Sequence, residues 1–357
     1  MHSSVPFNMN KNHQPLLWGL LHGLNDFAAG YMLASYTFTR THQESFSFII
    51  LYAIIGFGGQ LPVGLWMDQK KQIRPFANAS IIALPLAILV FYIDAGAGII
   101  FSGIASALVH VTGGAICLQV SENKTGPLAL FTAPGVLGLT FGGLLGTLSS
   151  AWLSVCGFLV IITICLIAKQ TTPSYQSPEK KQSELDGHDW LMLGILLVMC
   201  FRSFLFDLLN HVAQDFNQGV IIIGVSAFAG KIIGGMLADK IGWKKYLYIS
   251  LPLALILLQF GKENIYALAF GIACLQSSVP ITLMLMGRSL SLYPGTASAL
   301  SLGTSVALAG LPLYLGGIKS PILNLFGNDW IRIGSLLFLL ALFGGLIYCF
   351  KRRRVEG

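Results

Sequence analysis

The sequence predicts an all-α integral membrane protein with twelve transmembrane helices in two pseudo-symmetric six-helix bundles. Three observations carry this prediction: the scarcity of charge, a regular succession of apolar runs, and an internal repeat. Of the 357 residues, 54% are hydrophobic and 10% are charged, whereas a soluble domain is about 25% charged. A membrane helix needs about 20 apolar residues, so twelve use about 240 and leave no room for a sizeable soluble domain.

Twelve apolar runs follow one another along the chain, and each is interpreted as one membrane-spanning helix. The first run lacks a cleavage site of the Ala-x-Ala kind, so we expect it to be retained. All six tryptophans lie at or near the ends of runs, where interfacial tryptophan belts are expected. The runs cover residues 16–37, 46–66, 76–95, 97–119, 127–148, 150–168, 190–210, 217–238, 246–261, 264–286, 294–316 and 329–350.

The distribution of basic residues predicts that both termini face the cytoplasm. In that orientation the cytoplasmic segments hold 16 of the 22 lysines and arginines, and the outer loops hold four. Basic loops stay on the cytoplasmic side of a membrane, so the net charge of +7 reflects topology and does not indicate a nucleic-acid partner. We expect a multi-pass protein of the cytoplasmic (inner) membrane that contacts the lipid bilayer and acts as a monomer.

One polar stretch, Lys169 to Asp189, interrupts the apolar runs and carries mixed charge and two prolines. Such a composition is typical of a linker. The predicted organisation is therefore an N-terminal six-helix half over 1–168, a cytoplasmic linker over 169–189, and a C-terminal six-helix half with a basic tail over 190–357.

Several chemistries have no motif in this sequence. The six cysteines lie in or at the edge of apolar runs and form no Cys-x-x-Cys pair, which argues against a disulfide framework or a zinc site. A phosphate-binding Gly-x4-Gly-Lys-Ser/Thr loop, a His-Glu-x-x-His motif and a Gly-x-Ser-x-Gly motif are all missing from the sequence. We therefore expect no cofactor, no metal and no enzymatic activity.

The two predicted halves share a repeated motif. Gly64-x-x-x-Asp68 and Gly235-x-x-x-Asp239 are each followed by basic residues, and they lie 171 positions apart after the second and eighth runs. An acid at this position can accept from the exposed N–H groups of a helix start or pair with an arginine.

The doubled motif resembles the signature loop of the major facilitator superfamily, which in that family joins helices two and three. The resemblance covers essentially the whole chain and implies a secondary transporter with its substrate site between two halves at the membrane midplane. It further implies that Gly64, Asp68, Gly235 and Asp239 control the inward gate.

Three shorter segments are similar to the fosmidomycin-resistance-type exporters of that superfamily. The resemblance implies proton-coupled export by alternating access, with helices one and four lining the cavity, so that His110 would lie near His22 and Asp26. Val111 departs from the exporters' usual proline. The segments are His22-Gly23-Leu24-Asn25-Asp26, Ala107-Leu108-Val109-His110 followed by Gly113-Gly114, and Arg202-Ser203.

The fifth run partly resembles the antiporter motif Gly-x-x-x-Gly-Pro-x-x-Gly-Gly of the same superfamily. Gly138, Gly142 and Gly146 keep the spacing of small residues, but Gly143 replaces the proline. The resemblance is partial, so the motif gives incomplete support for antiport.

Asp26 lies near the middle of the first run, where a charge costs from about 2.5 to more than 10 kcal/mol and is usually retained for function. His22 precedes it by four residues, which places both on one helix face, and Asn25 lies on the same side. A His–Asp pair can relay protons or contact a polar substrate. The alternative is a structural hydrogen bond to a neighbouring helix, and for His110 a satisfied core histidine.

Two basic residues lie inside predicted helices. Arg202 cannot lose its proton, so it needs an acid, backbone carbonyls or an anionic substrate such as a phosphonate or carboxylate. A buried pair with Asp207 or Asp26 is the alternative, although the spacing of five residues makes Asp207 a poor same-face partner. We expect Lys231 to extend towards the cytoplasm, with lining of the cavity as the alternative.

These observations predict a secondary transporter that exports a small organic molecule in exchange for protons. His22, Asn25, Asp26, His110 and Arg202 are the predicted substrate and proton-coupling residues. Two alternatives stay open at this stage: proton-coupled uptake of a small metabolite, and a transporter-like receptor or assembly protein that moves nothing.

Overall fold

A computed structural model describes residues 9–38, 42–147, 187–261, 263–316 and 329–352 of the chain. These residues form α-helices and two π-helical segments. The α-helices are α1 (Met9–Phe38), α2 (His42–Ala53), α3 (Gln60–Lys70), α4 (Arg74–Ile93), α5 (Ala95–Val120), α6 (Thr125–Gly146), α7 (Gly187–Ala213), α8 (Gly219–Ile241), α9 (Trp243–Gln259), α10 (Ile265–Gln276), α11 (Ser278–Ser289), α12 (Pro294–Ala299), α13 (Ser305–Gly316) and α14 (Asp329–Arg352).

The helices fall on eleven of the twelve predicted runs, and the predicted run 150–168 lies outside the described residues. Within the described residues, eight helical stretches are long and apolar enough to cross a membrane. They are Phe46–Lys70, Arg74–Ile93, Ala95–Val120, Thr125–Gly146, Trp190–Ala213, Gly219–Ile241, Ile265–Ser289 and Ile331–Phe350.

Several helix ends lie beyond the predicted apolar runs. Helix α1 begins at Met9, before the apolar run, and continues through Pro15. Helix α7 begins at Gly187, inside the predicted linker. Apolar periodicity marks only the part of a helix that meets lipid or core, so polar end turns are not visible to it. The rest of the linker lies outside the described residues.

Two helical spans are interrupted by π-helical turns, Ile54–Gly58 between α2 and α3 and Leu300–Thr304 between α12 and α13. These two turns pack against each other. A Cβ atom on Gly303 would lie against Phe57 O and Gln60 Cβ, so glycine permits this close approach. Single π turns inside α-helices occur frequently at functional sites.

Helices α1 and α6 form the most extensive helix pair of the described residues. Gly138 and Gly142 of α6 lie directly on the backbone of α1, because added Cβ atoms would meet Gly23 O and Phe27 O respectively. An added Cβ on Gly143 has no atom of the described residues within 4 Å. The glycine spacing of the antiporter-like motif therefore coincides with a small-residue packing surface of the kind membrane helices use.

One tryptophan departs from the interfacial placement expected from sequence. Trp18 is only 1% exposed, and it packs with Phe131 of α6 where Gly113 of α5 leaves room for both rings. Helices α1, α5 and α6 therefore meet around a filled core at this level, and the next turn of α1 carries His22.

Candidate functional site

Three ionisable side chains meet where α1 and α5 face each other. His22 and Asp26 lie one turn apart on α1, with His22 Nε2 3.1 Å from Asp26 Oδ2. His110 of α5 places its Nε2 3.6 Å from Asp26 Oδ1, and the two imidazole centroids are 4.4 Å apart. The expectation that His110 lies near His22 and Asp26 is confirmed.

A backbone carbonyl oxygen lies within hydrogen-bond distance of the Nδ1 atom of each imidazole. His22 Nδ1 lies 2.9 Å from Phe131 O, and His110 Nδ1 lies 2.8 Å from Ser106 O. A carbonyl oxygen only accepts, so both Nδ1 atoms carry hydrogen, and in the neutral ring both Nε2 atoms are acceptors. The Asp26 carboxylate is also an acceptor, so with neutral rings the Nε2 and Oδ atoms repel each other. A proton on Nε2 or on the carboxylate, or a bound cation, makes the contact attractive.

Asn25 completes the cluster, as its position on the same side of α1 predicts. Its Nδ2 donates to Asp26 Oδ1 over 3.0 Å, while its buried Oδ1 has no hydrogen-bond partner among the residues that the structure describes. The Asp26 side chain is 15% exposed and each histidine side chain 6%. The carboxylate is thus the most accessible group of the cluster.

Gly135 makes room for this cluster. A Cβ atom there would meet His22 Nε2 and also lie 2.6 Å from Asp26 Oδ2. Pro134, the preceding residue, packs under Gly23. Gly135 was missed from the sequence, because its contact with the cluster becomes visible only when α6 is placed beside α1.

Lys231 differs from the sequence expectation. Its Nζ donates to Thr132 O over 3.2 Å, one residue beyond the carbonyl that holds His22, so it stays at the level of the cluster and does not extend towards the helix end. It interacts electrostatically with Asp26 and His110. The snorkelling expected from sequence is therefore not seen in the structure.

Arg202 lies apart from the cluster. It is 4% exposed, and its Nη1 donates to Thr282 Oγ1 of α11 over 2.8 Å. Its buried Nε has no hydrogen-bond partner in the described part of the chain. Within the described part of the chain it forms no ion pair with Asp207 or Asp26, so the buried pair considered from sequence is not found.

The first copy of the repeated motif bonds to the start of a distant helix. Asp68 accepts from Gly295 N at 2.9 Å and from Thr296 N and Thr296 Oγ1 at 2.7 Å each, all at the N-terminus of α12. Gly64 permits this approach, because a Cβ atom there would lie 2.6 Å from Gly295 O. We call these bonds the Asp68 contact.

The second copy makes the same arrangement in reverse. Asp239 of α8 accepts from Thr125 N and Thr125 Oγ1 at 2.7 Å and from Gly126 N at 2.8 Å, at the N-terminus of α6. Gly235 O accepts from Thr125 Oγ1 at 2.6 Å. We call these bonds the Asp239 contact. From sequence, either a helix start or an arginine was a possible partner for these aspartates. Asp68 and Asp239 each bond to a helix start.

Apolar helices long enough to cross a membrane surround a partly buried acid and two histidines, and two aspartates bond to the starts of distant helices. The chain matches the Major Facilitator Superfamily over residues 15–260. It therefore belongs to this superfamily of membrane transporters.

Solved structures of similar fold agree with this assignment. A variant of the E. coli fucose:proton symporter FucP is 14% identical, with a TM-score of 0.68 over 95% of this chain and 96% of that one. FucP in the outward conformation is 15% identical, with a TM-score of 0.67 over 98% and 99%. A bacterial homologue of the iron transporter ferroportin, outward-facing and soaked with iron, is 15% identical, with a TM-score of 0.62 over 95% and 99%. The comparison with curated proteins found no match.

Proposed function

We propose that this protein is a proton-coupled secondary transporter that exports a small organic molecule across the cytoplasmic membrane by alternating access. The observation that carries the proposal is the partly buried Asp26 carboxylate facing two histidine Nε2 atoms. The carbonyls behind the rings make both Nε2 atoms acceptors. A proton taken up there turns a repulsive contact into an attractive one, which links protonation to the packing of α1 against α5.

In this proposal His22, Asn25, Asp26 and His110 hold the coupling proton and contact the substrate. Arg202 binds an anionic group of the substrate, because its buried Nε has no partner among the described residues and a guanidinium can bind a carboxylate or phosphonate with two parallel bonds. Lys231 adds a second positive charge near the cluster. Proton symport of a small metabolite in the uptake direction is the competing proposal. A fucose:proton symporter is among the structures of similar fold.

The proposed architecture is two six-helix halves, 1–168 and 190–357, joined by a linker that ends near residue 189, with twelve transmembrane helices and both termini in the cytoplasm. Gly64, Asp68, Gly235 and Asp239 form the conformational gate. The Asp68 and Asp239 contacts each join helices from opposite halves, and the excess of basic residues beside both aspartates supports a cytoplasmic location for them.

The test is drug tolerance in an efflux-deficient bacterial host, with fosmidomycin and a broad panel of small toxic compounds. Wild type is compared with Asp26→Asn at equal membrane expression, and Asp215→Asn, which removes an exposed carboxylate outside the cluster, is the matched control. We expect wild type and the control to protect against at least one compound and Asp26→Asn to fail. Equal protection by all three would remove Asp26 from coupling.

If no compound is exported, substrate-driven proton movement in reconstituted vesicles decides between uptake and no transport. Alkalinisation of the outer medium on adding a metabolite outside would favour uptake. No flux with any compound, together with a stable protein partner, would favour the receptor alternative.

A further inference from the structure

We propose that His22, Asp26 and His110 form a binding site for one divalent transition-metal ion, with His22 Nε2, His110 Nε2 and an Asp26 carboxylate oxygen as ligands. The three side chains are those of the proposed coupling site, but metal binding does not depend on transport. A chain that transports nothing can still bind the ion, and a transporter can fail to bind it.

The spacing of the three ligand atoms is close to what a metal ion requires. Ligands at the 2.0–2.2 Å bond lengths of a tetrahedral Zn²⁺ site lie about 3.3 Å from one another. The two Nε2–Oδ separations are 3.1 and 3.6 Å, and one ligand atom from each of the three residues lies within 4.8 Å of the other two. Small side-chain rotations therefore suffice to bring the three atoms onto one ion.

The residues behind the ligands already have the arrangement of a metal site. Metal-binding histidines almost always donate their second ring N–H to a carbonyl or carboxylate, which fixes the tautomer and the ring orientation. Phe131 O does this for His22 and Ser106 O for His110, so both free lone pairs lie on Nε2 and point to Asp26. Asn25 Nδ2 orients the carboxylate in the same way.

Ligand chemistry limits the choice of metal. Two imidazoles and one carboxylate are a ligand set of Fe²⁺, Co²⁺, Ni²⁺ and Zn²⁺ sites, whereas Mg²⁺ and Ca²⁺ prefer oxygen ligands throughout. The set provides three protein ligands and leaves further positions open for water or a substrate atom. Access is through the Asp26 side, the most exposed of the three side chains.

Charge works partly against the ion. Asp26 is the one acid of the cluster, and Lys231 interacts electrostatically with both Asp26 and His110. The two positive charges of a bound ion are therefore only partly balanced by the single negative charge of Asp26, because the two histidine ligands are neutral. We expect moderate affinity rather than the tight binding of a structural zinc site.

The experiment titrates Co²⁺ into the metal-free full-length chain in lipid nanodiscs and records the visible absorption of the bound ion, followed by displacement with Zn²⁺. We expect one Co²⁺ per chain, displaced by Zn²⁺ but not by the same concentration of Mg²⁺. His22→Gln, Asp26→Asn and His110→Gln should each weaken binding by about 100-fold or more, since loss of an outer-shell partner alone costs about 10–100-fold.

The matched control is His211→Gln. His211 forms a second i, i+4 pair with an aspartate, Asp207, but is exposed and has no third ligand among the described residues. It should leave the Co²⁺ titration unchanged. Unfolding temperatures of all variants are measured in parallel, and the nearly isosteric Asp26→Asn decides the question if a histidine variant does not fold.

Two results would overturn the proposal. The first is no Co²⁺ absorption at any concentration up to about 1 mM, which is far above the dissociation constants of protein transition-metal sites. The second is the same titration curve in wild type and Asp26→Asn. Neither result bears on transport, which is measured separately with the compound panel. Binding without any flux would instead leave the metal site standing and remove the proposed transport function.

Discussion

At the scale of single residues, the cluster depends on what surrounds it as much as on its three ionisable groups. The two histidines are buried and Asp26 is partly buried, and such groups are tolerated inside a membrane helix bundle only when partners are present. Phe131 O and Ser106 O fix the two rings, Asn25 binds the carboxylate, and Gly135 leaves the space they occupy.

Gly135→Ala should disable the cluster while leaving the fold intact. The new methyl group would meet His22 Nε2 and Asp26 Oδ2, so the two side chains must separate. We expect loss of most transport and Co²⁺ binding weaker by at least ~10-fold. Gly143→Ala, where an added Cβ meets nothing within 4 Å, is the control and should resemble wild type in both assays. Unchanged Co²⁺ binding in Gly135→Ala would contradict this account of the site.

Lys231→Met should tighten Co²⁺ binding relative to wild type, because it removes a positive charge that interacts with Asp26 and His110. The same change deletes the bond to Thr132 O, which joins α8 to α6 beside the carbonyl that holds His22. Lys231→Arg keeps the charge and a donor and is the matched comparison. The Co²⁺ titration in nanodiscs distinguishes the two variants, and weaker binding in Lys231→Met would show that the bond matters more than the charge.

At the scale of helices, the α1–α6 pair is held by close backbone approach. Gly138 and Gly142 lie on the carbonyls of Gly23 and Phe27, so the two helices that position Asp26 and Phe131 cannot separate or slide without losing this contact. Dispersion and packing drive helix association in lipid, because burial of apolar surface brings little gain there.

Gly142→Ala should therefore destabilise the protein, although it adds only one methyl group. An added methyl group in a filled interface costs about 1–3 kcal/mol, and here it meets backbone atoms that cannot rotate away. We expect a lower unfolding temperature in detergent for Gly142→Ala and an unchanged or slightly higher one for Gly143→Ala, one position further on the open face. Equal unfolding temperatures would contradict the packing interpretation of the glycine spacing.

At the scale of the whole molecule, two carboxylates connect distant parts of the chain in matching ways. Asp68 bonds to the start of α12 and Asp239 to the start of α6. Negative charge is stabilised at a helix N-terminus, and hydrogen bonds to a charged group contribute about 1.5–3 kcal/mol each. Contacts of this size are strong enough to hold one conformation and weak enough to be exchanged during a transport cycle.

Asp68→Asn and Asp239→Asn should each shift the equilibrium towards a state in which these contacts are open. Each variant loses the charge and one acceptor oxygen, and a loss of about 1.4 kcal/mol changes a population ratio tenfold. Spin-label distances between the ends of α3 and α12 are expected to lengthen in Asp68→Asn, and between α8 and α6 in Asp239→Asn.

The control for this experiment is Asp94→Asn, which alters a carboxylate that caps its own helix, accepting from Ala97 N at 2.7 Å. The distances should not change in this variant. A distance distribution in Asp68→Asn identical to that of wild type would show that the contact does not control the conformation.

The sequence by itself determined the class of the molecule and the approximate extent of its helices. Apolar runs are long because each membrane helix must satisfy its backbone within lipid, so length and hydropathy suffice to find them. The doubled Gly-x-x-x-Asp motif and the His22–Asp26 pair were also predictable, since both depend on spacing along one helix. Helix ends in polar stretches, such as those at Met9 and Gly187, were not, because hydropathy carries no signal there.

The tertiary structure alone decided which helix starts receive Asp68 and Asp239, that Trp18 is buried, that Lys231 bonds to Thr132, and that Arg202 has Thr282 as its neighbour. These are contacts between helices far apart in sequence, and no local pattern encodes them. The same holds for the carbonyls behind His22 and His110. A lone histidine in an apolar run reveals nothing about its tautomer, whereas the packing of α6 and the turn of α5 beneath it fix which nitrogen faces the acid.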